Sequence, residues 1–337
     1  MTPSPGVPLE LSTDAVGGSP GHSPFAPWRH RLSLLLVAST LALIFVGGLV
    51  TSTGSGLSVP DWPLSYGMVM PPMVGGVFYE HGHRIVASFV GFLTLVLAVW
   101  TARSETRASV RRLAWLALAA VIAQGVLGGL TVLFLLPTPI SVTHACLAQT
   151  FFCITIALAY LTSREWLSSA GTRDDVAGVR GAAVAATAAA FGQLVLGAVM
   201  RHIGAGLAVP DFPRMYGRWI PPAEALEQVP VAVHLAHRAG AVVVLAFVLH
   251  LALRATRDGD ARLARPAQLA LVLVFVQIAL GALTVITGKA VLPTTAHVAT
   301  GAAILGLCWF ATLRTRRHRR PAASAPAVAA LGDPAVS

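Results

Sequence analysis

Residues 54–72 read GSGLSVPDWPLSYGMVMPP, and residues 204–222 read GAGLAVPDFPRMYGRWIPP. At an offset of 150 the glycines, Pro60 and Pro210, Asp61 and Asp211, Tyr66 and Tyr216, and the two Pro-Pro pairs all coincide. Outward from this stretch, His83-Arg84 answers His237-Arg238, Gln124 with LGGLTV answers Gln277 with LGALTV, and His144 answers His297. The chain is therefore a tandem duplication, and each copy keeps two histidines at matching places. Paired histidines inside an apolar helix bundle are what an iron porphyrin needs for axial ligation.

The setting of those histidines follows from composition. The chain has 337 residues, 55% hydrophobic and 11% charged, with a mean hydropathy of +0.72. Soluble domains carry about 25% charged residues, so this is a membrane protein. Apolar stretches at 32–52, 78–101, 113–135, 141–162, 182–201, 231–254, 267–287 and 292–313 are long enough, or nearly so, to span a bilayer. A helical span takes about 20 residues, and open sheet edges do not survive in lipid. The predicted fold is an all-α integral membrane protein: eight transmembrane helices in two tandem four-helix bundles related by a pseudo-twofold axis.

The net charge of +10 reports topology rather than a nucleic-acid partner. With a cytoplasmic N-terminus, most Lys and Arg residues fall on inside segments. The opposite side holds only Arg201, Arg214, Arg218 and Lys289, with Arg84 and Arg238 beside histidines near the same face. This is the positive-inside pattern, and it places both termini in the cytoplasm. Residues 1–27 and 314–337 read as tails. Residues 28–163 form the first half, 164–181 a cytoplasmic linker, and 182–313 the second half. Because each half has an even number of spans, both share one orientation, and loops 53–77 and 202–230 lie together outside. Cys146, Cys153 and Cys308 fall within spans, without a CxxC or CxxCH motif, so any heme is held by coordination alone.

His83, His144, His237 and His297 each lie near the start of a helix entering from the outside, at one shared depth. Intramembrane ionisable groups are costly and tend to be functional. A hydrogen-bonded core histidine is the plainer account of any one of them alone, and four at one depth in duplicate favour ligation. Glu80 stands three residues before His83, on nearly the same helix face; its counterpart is His234. It reads either as a proton acceptor beside a reacting centre or as an interfacial partner of Arg84. Arg84 and Arg238 suit heme propionates, and snorkelling to the interface accounts for them equally well. His81 and His202 read as loop or boundary histidines, Gln124 and Gln277 as interhelical hydrogen-bond formers, and Asp61 and Asp211 as fixing the outer loops.

The loop motif GSGL-x-x-PDWPL-x-x-G, the E-x-x-H-R run from Glu80 to Arg84 and the four repeated histidines resemble the bacterial heme A synthase family, over residues of about 32 to 313. That family oxidises the C8 methyl of heme O to a formyl group by way of a hydroxylated intermediate. The resemblance implies that His237 and His297 ligate a resident heme b, and that His83 and His144 hold the substrate heme beside a catalytic Glu80. It also implies the cell membrane as location, lipid surroundings, an electron acceptor such as a quinone, docking of heme O synthase, and room for homo-oligomers. One departure stands out. Many relatives carry a cysteine pair in the first outer loop where this chain has Val59 and Ser65, with Val209 and Met215 in the second loop, so a cap disulfide is excluded. The alternative reading is a non-catalytic diheme b-type cytochrome exchanging electrons with quinone; a heme transporter is a third, disfavoured by the lack of a Trp-rich outer motif.

Overall fold

The structure is a computed structural model that describes residues 25–168 and 177–316. Eight long helices account for most of it: α1 (Pro27–Ser52), α2 (Gly76–Ser104), α3 (Ala108–Leu133), α4 (Thr138–Leu161), α5 (Ala177–His202), α6 (Val229–Asp258), α7 (Ala261–Ile286) and α8 (Val291–Thr315). All eight are long and apolar enough to cross a membrane, so the chain is an all-α multi-pass membrane protein. Every predicted span is present, and most run past their apolar cores, where polar residues continue the helix without a lipid penalty. Of the predicted linker 164–181, Arg164–Ser168 is a short helix and residues from Ala177 belong to α5. Of the expected tails 1–27 and 314–337, residues 1–24 and 317–337 lie outside the described residues, as do 169–176, while Pro27 already opens α1 and α8 continues to Thr315.

Local chemistry sets several helix ends. Pro27, Pro139 and Pro230 open α1, α4 and α6 within their first two positions, where a missing N–H costs nothing. Gly259 ends α6 at φ 78°, in the left-handed region that glycine enters freely. Pro266 stands inside α7 and has no N–H to donate to the carbonyl of Arg262 one turn earlier. The guanidinium of Arg314 on α8 donates to that carbonyl instead.

Buried apolar side chains form three clusters. One lies within α1–α4, around Leu36, Val90, Leu97 and Phe151. A second lies within α5–α8, around Val248, Leu251, Leu263 and Leu305. The third joins them through Ile44, Phe152, Ile156, Tyr160, Ala302 and Leu313. Helices α1, α4, α5 and α8 meet at the centre. There α4 approaches α8 closely: a methyl group added at Gly306 would lie 2.9 Å from both Ile156 and Phe152, the small-residue contact usual between membrane helices. The Trp309 indole N–H donates to the Cys153 carbonyl across the same seam, at 2.8 Å.

The two large loops lie at one end of the bundle, and their folds repeat. Tyr66 and Gly67 both have positive φ (54° and 70°), as do Tyr216 and Gly217 (55° and 72°), the requirement of a tight two-residue hairpin turn. Asp61 accepts from the Tyr66 and Gly67 N–H groups at 2.6 and 2.8 Å, and Asp211 accepts from Tyr216 and Gly217 at 2.8 and 2.7 Å. Each tyrosine hydroxyl donates to a carbonyl eight residues earlier, Ser58 or Ala208, at 2.5 Å. The Gly67 N–H above all, then Tyr66 N–H and nearby Arg84, hold the Asp61 carboxyl below the usual aspartate range; Gly217, Tyr216 and Arg238 do the same for Asp211.

Candidate functional site

The four repeated histidines are half-buried on α2, α4, α6 and α8, near the loop end. Each ring is backed by a glycine of the preceding long helix. A methyl group added at Gly47 would lie 3.1 Å from Cε1 of His83, and one at Gly128 would lie 3.2 Å from Cε1 of His144. At Gly197 and Gly281 it would lie 3.0 Å from Cε1 of His237 and of His297. A side chain at any of the four would push its imidazole back by a few tenths of an ångström, so glycine lets each ring pack with Cε1 against a neighbouring backbone. Gly128 and Gly281 sit in the LGGLTV and LGALTV repeats, so their signal was present in the sequence; their role becomes visible only when the helices are packed.

In the second half the rings of His237 and His297 stand 6.3 Å apart, centre to centre, tilted by 61°. Two imidazoles bound on opposite sides of one metal ion, at about 2 Å from each nitrogen, place their centres about 6 Å apart. Among the described residues no hydrogen bond engages Nε2 of either ring, whereas both Nδ1 atoms have polar neighbours. Nδ1 of His297 lies 3.0 Å from the Gln277 carbonyl, an acceptor, so that bond puts the proton on Nδ1 and leaves the Nε2 lone pair free. The Gln193 amide nitrogen on α5 donates to the His237 carbonyl at 2.8 Å and lies 3.1 Å from its Nδ1, where an amide N–H likewise can only donate. The Gln193 amide fits there because Gly240 has no side chain: a methyl group on it would lie 2.1 Å from Gln193 Oε1. Among the described residues no three His, Cys, Asp or Glu side chains gather to hold a bare metal ion. Two imidazoles at this separation fit an iron porphyrin, whose macrocycle would supply the other ligands.

The first half has the same glycine backing without the polar hold. His83 and His144 are close enough to interact electrostatically, and Gln124 donates to the His144 carbonyl at 2.9 Å. Nδ1 of both His83 and His144 is buried without a hydrogen-bond partner among the described residues. Where the second half has Gln193 and Gly240, the first has Leu43 and Val86.

Glu80 is 3% exposed and joins the histidine helix to the loop above it. Its Oε2 accepts from the Val59 N–H at 2.8 Å, and its Oε1 accepts from Arg84 at 2.8 Å. The duplicated position does related work: Nδ1 of His234 lies 3.3 Å from the Val209 N–H and 3.0 Å from the Ala205 carbonyl. Arg84 also donates to the Asp61 and Leu64 carbonyls, both at 2.8 Å, and Arg238 donates to the Asp211, Arg214 and Val209 carbonyls. Both arginines clasp the loops. His81 is buried, with Nδ1 2.8 Å from the Ser65 hydroxyl and Nε2 unpartnered. Val59 and Val209 are fully buried. The loops are thus closed by ionic and polar clasps where a cysteine pair would supply a covalent one.

These features define a class: a duplicated, multi-pass α-helical membrane protein with two glycine-backed histidine pairs, one of them at a separation that suits an iron porphyrin. The family model for the COX15-CtaA cytochrome oxidase assembly proteins matches residues 30–77 and 74–309, and the chain belongs to that family. It is 34% identical to the heme A synthase of Symbiobacterium thermophilum over 75% of this chain and 84% of that protein. It is 30% identical to the heme A synthase of Halalkalibacterium halodurans over 77% and 89% of the two chains. Against the heme A synthase of a Chelativorans species it is also 30% identical, over 86% and 91%.

Proposed function

We propose that this protein is a heme A synthase, an oxidoreductase that converts the C8 methyl of heme O into a formyl group through a hydroxylated intermediate. The observation that carries this reading is the asymmetry of a duplicated site: two glycine-backed histidine pairs, only one of which has a carboxylate beside it. In this reading residues 28–163 hold the substrate heme between His83 and His144. Residues 182–313 hold heme b between His237 and His297. The termini are cytoplasmic, and both sites open toward the outer face of the cell membrane.

Turning a methyl into an aldehyde takes successive two-electron oxidations and releases protons. Heme b, when bound, supplies a one-electron outlet. The protein's own part is positional. His83 and His144 fix the substrate porphyrin at the depth of the loop end, and Gly47 and Gly128 fix those two rings. Glu80, paired with Arg84, is the nearby carboxylate able to accept a proton, and its bond to the Val59 N–H holds the loop over the site. The electron acceptor is a quinone or another membrane carrier, and the arginine-rich cytoplasmic face is where heme O synthase would dock.

The test is mass-resolved chromatography of hemes extracted from a host that makes heme O but not heme A, with and without this protein. Heme A or its hydroxylated precursor should appear only with the protein. If heme-loaded protein accumulates while only hemes B and O are found, the proposal fails and the diheme electron carrier takes its place.

A further inference from the structure

With Arg84 and Arg238 engaged by loop carbonyls, the guanidinium to consider near the histidines is that of Arg201. It stands in the last turn of α5, half-buried where the two halves meet. Its Nη2 donates to the Ser52 hydroxyl at 2.9 Å and to the Gly48 carbonyl at 3.3 Å, both on α1. Ser52 also receives the Thr295 hydroxyl of α8 at 3.1 Å. Among the described residues no carboxylate pairs with Arg201, and its Nε and Nη1 make no hydrogen bond. A partly desolvated guanidinium with half of its fork idle is costly unless an anion completes it.

Its position indicates which anion. Gln193, Gly197 and Arg201 follow one another at four-residue intervals and so run along one side of α5. Gln193 contacts His237, Gly197 backs its ring, and Arg201 comes one turn nearer the loop end. Through Ser52 it is also joined to Thr295, two residues before His297 on α8. The matching residue in the first half is Thr51, whose hydroxyl donates to its own helix at the Gly47 carbonyl.

The geometry points to Arg201 as a carboxylate subsite: it takes a propionate of the porphyrin ligated by His237 and His297, with Ser52 steadying the guanidinium from the other half. This assignment rests on the reading that this pair holds heme. It makes Arg201 a positioning residue that retains one porphyrin, while the first half, without such a cation, releases its own.

The experiment compares hemin with its dimethyl ester, which lacks both propionate charges, in membranes from a heme-deficient host. Binding is read from the low-spin spectrum in a His83→Ala background, so that the second pair alone is titrated. With Arg201 intact, free-acid hemin should bind roughly tenfold or more tighter than the ester, as loss of a charge-assisted bond implies. Arg201→Gln should bind both forms alike, and Arg201→Lys should restore part of the preference. Equal binding of acid and ester with Arg201 intact overturns the assignment without needing any change at that residue. An undiminished preference in Arg201→Gln overturns it as well. If His237→Ala leaves the titration unchanged, the ligand reading beneath the proposal is what has failed.

Discussion

At the second histidine pair each imidazole has a polar partner at Nδ1, Gln193 for His237 and Gln277 for His297; at the first pair both Nδ1 atoms are buried and bare. The glycine that backs each ring is common to both. So are the aspartate-held turn and the arginine that clasps it. What has changed between the copies is the surroundings of the ligands: Gln193 against Leu43, Gly240 against Val86, Arg201 against Thr51, and His234 against Glu80. A ligand whose outer nitrogen is hydrogen-bonded is oriented before the metal arrives, whereas a bare buried nitrogen costs about 1–3 kcal/mol. In the proposed function this difference makes the second pair the retentive site and the first the permissive one.

The most severe test of that difference removes a ligand from each side. His237→Ala should strip the low-spin heme from the purified protein. His83→Ala should leave that heme in place and abolish heme A formation. Heme content per protein, read from the pyridine hemochrome spectrum, checks both. Equal heme loss in the two variants would erase the distinction between the halves.

Glu80 is next. General acid–base groups contribute about 10²- to 10⁴-fold to rate, so Glu80→Gln should lower heme A formation by at least about a hundredfold. The amide oxygen can still accept from the Val59 N–H, so the loop should stay closed and heme b should remain. Glu80→His is the sharper variant, because it gives the first half the residue with which the second half holds its own loop. If that variant turns over at the normal rate, Glu80 is a loop clasp and the proton acceptor lies elsewhere.

How much of this was legible beforehand depends on the range of the interaction. The eight spans, the duplication and the four histidines follow from periodic hydropathy and a fixed offset, which are local signals. One apparent irregularity in the repeat, LGGLTV against LGALTV, also has a physical cause. A methyl group on Gly129 would lie 2.5 Å from the Trp62 ring, and in the second copy, where Ala282 stands at that position, the smaller Phe212 stands at the position of Trp62. Arg84 and Arg238 were less legible: the sequence left propionate binding and snorkelling open, and the structure turns both toward loop carbonyls twenty or more residues away. Gln193 gave no signal in the repeat, since its counterpart is Leu43, and its meaning depends on Gly240, which lies on another helix. Contacts that depend on which helix faces which are not written in any one helix.

Gln193 tests the comparison at finer scale. Removing the outer partner of a metal ligand typically costs 10- to 100-fold in affinity, so Gln193→Leu should weaken retention of the second-half heme by about tenfold. Pairing it with Gly240→Val recreates the apolar surroundings of the first half and refills the space, so any remaining loss belongs to the missing polar contact. Heme release to excess apomyoglobin would measure it. A rate unchanged in the double variant would mean that the two sites differ in something other than the hold on Nδ1.

The smallest expected effect concerns what the halves share. Asp61 and Asp211 are held below the usual aspartate range by equivalent N–H groups. A carboxylate depressed in the folded state contributes stability that is complete above its unfolded value, about 3.9, and is lost as pH falls through the lower folded value. Both loops should therefore stay closed from neutral pH down to about 4 and loosen below it. The loosening should be similar in extent, because the two turns have the same bonds to within a few tenths of an ångström. Amide exchange at Tyr66, Gly67, Tyr216 and Gly217, corrected for intrinsic rate, would follow it. Loss of protection in one loop well before the other would show that the caps, like the histidine sites beneath them, have diverged, with the Glu80–Arg84 pair on one side and His234 on the other as the first place to look.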